Sequence, residues 1–297
     1  MLPGTGWITD GGTFMTGHQD IAAQAGADQD EVHRVPADLR PEIPHPARMY
    51  DYYLGGKDNF PADREAAEKV LALSPLVRIS ALANRAFLGR AVRHLAEQGV
   101  TEFLDIGTGI PTAGNTHQIA QQVHPQARVA YLDNDPIVLV HGRALLAAAS
   151  NGSATVVQAD LRDPDAVLAT PEVRRLLEPG RPVGLLLFAV LHFVDDKDDP
   201  HAIVRRLVDA LPPGSHLALS HATGDFTSPT AAAKGPAIYR AASAQLTMRT
   251  RQEVLGFFDG LELVEPGLVT APLWRPDRAP QPTDGEVAIW AGVGRKA

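Results

Sequence analysis

Three acids stand where short apolar runs end: Asp105 within Phe103-Leu-Asp-Ile-Gly-Thr-Gly, Asp133 closing Tyr131-Leu-Asp, and Asp160 closing Val157-Gln-Ala-Asp. Carboxylates in such places are suited to accepting hydrogen bonds from a ligand rich in hydroxyl and amino groups. Gly107 and Gly109, with Thr108 between them, permit tight backbone geometry and close approach of that ligand. An acid about 20 residues beyond such a loop is placed to accept from both ribose hydroxyls. Asp133 is expected to do so, with Asn134 beside it. Asp160 is expected to accept from an adenine amino group while Leu161 and Ile137 sandwich the ring, and Phe188 and Ala189 end a fourth apolar run nearby. Each match alone is also what a plain turn or a helix cap produces. Their recurrence at four successive strand ends is what favours an adenosine site.

The elements that hold these residues follow from the apolar pattern. From residue 101, short apolar runs alternate with amphipathic stretches, the signature of a parallel sheet covered by helices on both faces. Strands are expected at 102–106, 128–133, 155–160, 183–188 and 216–220, with helices such as 136–147 and 202–211 between them. Several strands are apolar throughout, as buried parallel strands are. Two β-like runs, 261–265 and 287–293, are joined by a Pro-rich segment without helical period, which predicts a terminal antiparallel pair. The start differs. Pro36, Pro41, Pro44 and Pro46 interrupt any helix, so residues 1–45 read as a flexible tail. A short helix stopped by Gly55-Gly56, a second over 61–73 capped by Asp58 or Asn59, and a third over 75–98 are expected next. In the third, Leu88, Ala91, Val92 and Leu95 share one face, opposite Arg90, Arg93, His94 and Glu97.

Bulk properties narrow the function classes. A 44% hydrophobic and 21% charged composition over 297 residues fits a globular protein with a substantial core. The net charge of -8 opposes binding to nucleic acid or to anionic membranes, which need clustered Lys and Arg. With no cysteine, thiol nucleophiles, disulfides and zinc-thiolate sites are excluded, which suits a reducing compartment. No apolar run approaches the roughly 20 residues of a membrane helix, and no basic stretch precedes an apolar run at the start. A cytoplasmic protein with a small-molecule partner is expected, its oligomeric state open. Asp195, Asp196, Asp198 and Asp199 form an acidic run that reads as a helix amino terminus, and no metal is expected.

The identity of the cofactor turns on the loop. A dinucleotide fingerprint requires a third glycine, and Thr112 stands there; Pro111 also delays the helix to near Asn115, away from a pyrophosphate. Asp105-Ile-Gly-Thr-Gly instead resembles motif I of class I S-adenosylmethionine-dependent methyltransferases, in which a terminal antiparallel pair is also expected. Ala83-Asn-Arg-Ala-Phe-Leu-Gly-Arg, Tyr131-Leu-Asp-Asn-Asp-Pro, Pro46-Ala-Arg-Met-Tyr-Asp-Tyr-Tyr-Leu-Gly-Gly-Lys-Asp-Asn-Phe and Trp274-Arg-Pro are similar to one bacterial S-adenosyl methyltransferase family, over residues 45 to the end. The resemblance implies an α/β, Rossmann-like fold, and with it a mostly parallel seven-stranded sheet with a terminal antiparallel pair is expected; the residues themselves add an N-terminal helical lid over 46–98 before a cofactor-binding core over 99–297. It implies S-adenosylmethionine as cofactor and names no acceptor. A non-catalytic adenosyl-ligand sensor and, behind it, a nucleotide-dependent oxidoreductase are the rival readings.

Methyl transfer from a sulfonium needs collinear nucleophile, methyl and sulfur more than it needs a base. For a hydroxyl acceptor a base helps, and His192, past the fourth strand, is the candidate, with His221 second. Packing of the Leu191-His192-Phe193 imidazole against a neighbour is the plainer alternative. Tyr52 and Asn59, around Gly55-Gly56, are expected in a lid over the acceptor, with 223–245 as another wall of the pocket.

Overall fold

A computed structural model describes residues 40–297 except 113, 149–152, 179, 243, 280, 282, 283 and 286. Most of the tail expected over 1–45 lies outside the described residues; a compact unit begins at Arg40 and runs to Ala297. Three helices open it: α1 (Pro46–Tyr53), α2 (Pro61–Leu73) and α3 (Leu76–Glu97). Then follow β1 (Glu102–Ile106), α4 (Thr116–Val123), β2 (Arg128–Asp133), α5 (Pro136–Ala148), β3 (Ala154–Gln158), α6 (Pro164–Ala169), α7 (Pro171–Leu177) and β4 (Val183–Phe188). The chain ends through α8 (Pro200–Asp209), β5 (His216–Ala222), α9 (Pro229–Ala241), α10 (Arg251–Leu255), β6 (Glu262–Leu263), β7 (Val269–Thr270) and β8 (Ile289–Arg295).

The sheet runs β3-β2-β1-β4-β5-β8-β6, with β7 also on β8. The first five strands are parallel; β8 is antiparallel to β5 and to both short strands. β6 meets Gly294 and Arg295, whereas β7 meets Trp290 and Ala291, so two strands share the one edge position. That is the correction to a seven-stranded sheet: eight strands fill seven places, because Pro266 and Gly267 interrupt the edge between β6 and β7.

Strand alternation sorts the core into two layers. Leu104, Ile106, Leu185, Leu187, Leu217 and Leu219 pack to one side with α6, α7 and α8. Phe103, Leu186, Phe188 and Ala218 face the other, under Phe87, Leu88, Ala91, Val92 and Leu95 of α3. Helix α3 has two surroundings: Phe87 to Leu95 form a layer of the core, while Val77 and Ala81 pack with α1 and α2. Arg90, expected on the solvent face, is buried, its guanidinium donating to the carbonyls of Trp274 and Ala271. The C-terminal segment wraps over that face and supplies the acceptors. The cap of α2 is also corrected: Asp63 accepts from the Phe60 amide, and neither Asp58 nor Asn59 caps the helix.

Candidate functional site

The carboxyl ends of β1, β2, β3 and β4 open into a cleft of about 390 Å³. Its near wall holds Asp105, Gly107, Thr108 and Gly109 together with Asp133, Asn134, Asp160 and Leu161, and Phe188 and Ala189 close it. The β1 turn is pinned to the next strand: the Gly107 amide donates to the Leu132 carbonyl (2.8 Å), and the Thr108 hydroxyl lies within reach of the same carbonyl (3.3 Å). Both glycines have positive φ, +73° at Gly107 and +67° at Gly109, but they differ in their neighbours. A Cβ on Gly107 would lie 2.3 Å from Val190 Cγ2, whereas one on Gly109 would meet nothing within 4 Å. Gly107 serves packing, and Gly109 leaves open space towards the cleft.

Asp133 holds the turn and keeps capacity for a ligand. Its Oδ2 accepts from the Gly109 amide (2.9 Å) and its Oδ1 from the Asp135 amide (2.9 Å), so two of about four acceptor positions are used. Burial pushes its pKa above the ordinary carboxylate value despite those bonds. Asp105 accepts from the Thr116 hydroxyl (2.7 Å), and burial first, then the charge of Asp133, raise its pKa to about 6. Asp160 is different. It reaches the cleft as half of an ion pair, with Arg162 donating to both of its oxygens, which lowers its pKa. Leu161 lines the cleft; Ile137, buried, is not in the lining, and Asn134 is.

Sequence reading missed the residues that α1, α3 and the segment before α1 contribute. His45 lines the cleft, caps α1 and pairs its Nδ1 with Asp135 at 2.9 Å. Arg85 lies on the cofactor side, donating to the Gly114 carbonyl and close enough to Asp105 to favour its ionised form. A hydrogen-bonded chain crosses the core beneath: the Ala189 amide donates to Ser220 Oγ (2.9 Å), Ser220 donates to Asn84 Oδ1 (2.6 Å), and Asn84 Nδ2 donates to the Tyr50 hydroxyl (2.8 Å). It supports Ala189 at φ +52°, a strained conformation for a residue with a Cβ. Tyr50 donates its own hydroxyl hydrogen bond to the Ala81 carbonyl, and burial pushes its pKa up to about 12.

The lid residues expected from sequence stand outside the cleft. Tyr52 points to the surface, donating to Glu68, and Asn59 binds Asp51 and the Gly56 carbonyl to hold the loop after α1. Tyr50 and Tyr53, three residues apart on α1 and so on one face, line the cleft in place of Tyr52. The far wall comes from α9, where Ala231, Gly235 and Tyr239 recur at four-residue spacing, as the pocket wall expected over 223–245 requires.

The histidines are corrected by their hydrogen bonds. His192 lines the cleft, but its Nδ1 accepts from the Ala222 amide (3.2 Å), which leaves the ring proton on Nε2. Burial, then the charge of Arg249, lower its pKa to about 3, so the ring is neutral and presents a donor to the cleft, which is unsuited to a general base. His221 donates through Nδ1 to the Ala222 carbonyl and accepts at Nε2 from Arg249 (2.9 Å); it is absent from the lining. Arg249 binds Asp196 as well as the Leu191 and Val194 carbonyls. The acidic run divides accordingly: Asp199 caps α8, Asp195 caps the turn before it, and Asp196 neutralises Arg249.

Comparison with known proteins agrees with this geometry. A family model described as S-adenosyl methyltransferase matches residues 32–297. A DUF574 family protein from Streptomyces avermitilis is 46% identical with a TM-score of 0.82, the match covering 87% of this chain and all of that one (100%). A Thermobifida fusca protein described as a candidate methyltransferase is 43% identical with a TM-score of 0.82, over 89% of this chain and 99% of that one. An O-methyltransferase family protein from Burkholderia thailandensis, 14% identical with a TM-score of 0.50 over 93% of this chain and 70% of that one, shares the fold. No curated protein sequence matches.

Proposed function

The chain belongs to the S-adenosyl methyltransferase family, and from that premise we propose that it moves the methyl group of S-adenosylmethionine to a small-molecule nucleophile held between the strand ends and the helical cover. One observation carries this reading: the strand-end acids and the tyrosine-bearing helices line a single cleft, of a size usual for small-molecule sites. The residues fit the cofactor. Gly109 leaves room beside the turn, and Asp133 retains acceptor capacity for ribose hydroxyls. Asn134, Leu161 and the Asp160–Arg162 pair would flank the base, while Arg85 and Asp105 suit the carboxylate and ammonium of the methionine part.

When bound there, S-adenosylmethionine supplies an electrophilic methyl on a sulfonium and leaves as the neutral thioether S-adenosylhomocysteine. The protein's part is to place an acceptor lone pair in line with the breaking carbon–sulfur bond and to exclude water, by which positioning alone contributes most of the acceleration. Ala189, held by Ser220, fixes the end of β4 at the junction of the two halves. His192 offers Nε2–H to orient an acceptor oxygen, and the acceptor's proton leaves to solvent or to a base of its own.

Incubating the protein with methyl-labelled S-adenosylmethionine and fractionated small-molecule extract tests the reading. Label is expected in a low-molecular-weight product together with S-adenosylhomocysteine. Calorimetric absence of binding for either cofactor form at millimolar concentration would sink it.

A further inference from the structure

The two halves of the cleft carry different side chains. Among the described residues, every Asp, Lys and Arg in the lining is Arg85, a residue at or just past the end of β1, β2 or β3, or a member of the 195–198 turn. Helices α1, α2 and α9 and residues 244–248 contribute none; they give Tyr53, Val70, Leu73, Tyr239, Leu246 and Met248 among others. A carboxylate or phosphate entering that half would lose its hydration with no cation from those helices to offset the loss. Aliphatic chains and rings line it instead, and among the rings that of Phe193 lies 5.7 Å from that of Tyr239, tilted by 45°. Ala231 and Gly235, two turns and one turn before Tyr239, leave space along α9, and a Cβ added to Gly235 would meet nothing within 4 Å.

Ser74, Thr227 and Gln245 are polar members of this lining, and one polar contact joins two of its helices. The hydroxyls of Tyr53 and Tyr239, 186 residues apart in sequence, meet at 3.2 Å. Two phenols carry two hydrogens, and their mutual bond uses one. Neither hydroxyl has a further partner among the described residues, and the side chains are 3% and 8% exposed. Tyr50, on the same helix, shows the contrast, since its hydroxyl both donates and accepts within the protein. Burial raises the pKa of both Tyr53 and Tyr239, so the pair keeps its hydrogens through the neutral range. A buried donor without an acceptor is costly, and a ligand oxygen at this point would remove that cost.

Resting on the methyltransferase reading above, we propose that the acceptor is an uncharged aromatic molecule carrying a hydroxyl or carbonyl oxygen, which takes the spare hydrogen of the Tyr53–Tyr239 pair while its ring packs beside Phe193. Tyr53 and Tyr239 are thus specificity-determining residues. Each can stand in for the other, because replacing one hydroxyl frees the hydrogen of its neighbour.

Calorimetry on the full chain loaded with S-adenosylhomocysteine, titrated with naphthol, naphthoate and naphthyl phosphate, tests this. Naphthol is expected to bind about tenfold more tightly than either anion. Tyr53→Phe or Tyr239→Phe alone should weaken naphthol by about threefold at most, and the double variant by about tenfold, with S-adenosylhomocysteine affinity unchanged throughout. That last measurement reports an intact fold and an intact cofactor half. Three results overturn the proposal: an anion binding as tightly as naphthol, no naphthol binding at millimolar concentration to the loaded protein, or a double variant that binds naphthol as the wild type does. Failure of the wild type to load S-adenosylhomocysteine would instead remove the cofactor reading, and this proposal with it.

Discussion

The strand-end half of the cleft and its helical half solve different problems with different materials. The strand ends present acids and backbone amides, fixed by short bonds between neighbouring strand ends and turns such as Gly109 to Asp133 and Thr116 to Asp105. The helical half presents rings, aliphatic chains and a few uncharged polar groups brought together from α1, α2 and α9, the Tyr53–Tyr239 hydroxyl pair among them. The first half suits a ligand of fixed identity, whose ribose and charged groups each require a defined partner. The second half can change its acceptor by exchanging side chains on helices that do not build the sheet. A fixed donor site and an adjustable acceptor site can thus share one cleft without competing for the same residues.

The largest test of this division is at the turn. Gly107→Ala places a Cβ against Val190 at positive φ, and a loss of about 3 kcal/mol of stability is expected from overpacking and backbone strain together. Gly109→Ala, with open space, should cost only about 1 kcal/mol of backbone strain while obstructing the cofactor. Urea unfolding beside calorimetric titration separates the two; equal destabilisation would erase the distinction between packing and ligand glycines. Asp133→Ala comes next, weakening S-adenosylhomocysteine binding by about 2 kcal/mol and loosening the Gly109 turn. Unchanged affinity would move the ribose contact elsewhere.

A pH series sharpens the electrostatic side. Because the pKa of Asp105 is raised to about 6, the folded protein retains a proton that the unfolded chain has released. The stability contributed by that proton is present below the unfolded carboxylate value, about 3.9, and is lost as pH rises through about 6. Affinity for the cationic S-adenosylmethionine should run the opposite way, rising by roughly tenfold between about pH 5 and pH 7 as Asp105 ionises. Asp105→Asn should flatten that rise in isothermal titrations; an unchanged rise would assign it to another group. For His192, the low pKa means that no imidazole ionisation should appear in the activity profile above about pH 5. An ionisation near the ordinary histidine value that vanishes in His192→Gln would restore the general-base role. The smallest effect is expected from Tyr52→Phe, below about 0.5 kcal/mol in both stability and cofactor affinity, because that side chain bonds only at the surface. A larger loss of S-adenosylhomocysteine affinity would return Tyr52 to the cleft.

What could be read in advance, and what could not, divides along the same line as the cleft. The first, second, fourth and fifth strands begin where the apolar runs do, and the helix after the first turn starts at Thr116, as Pro111 and the Asn115 cap require. The strand-end acids follow from strand position, because whatever closes a parallel strand faces the ligand-bearing edge. The tyrosines do not follow. Tyr50, Tyr52 and Tyr53 lie within four residues, each step turning by about 100° on the helix, and only packing against α2 and α3 decides which of them faces inward. Arg90 shows the same gap, since the helical period places it outward and a segment near residue 274 later covers it.

Sequence alone therefore determined the five parallel strands, the glycine turn after the first of them and the acids at the strand ends, since each depends on a few neighbouring residues and on the period of a strand. Tertiary structure decided the meeting of Tyr53 with Tyr239, the proton position on His192 and the covering of Arg90. Each of those depends on a partner far along the chain, a carbonyl, an amide or a hydroxyl, and no local period encodes where that partner arrives.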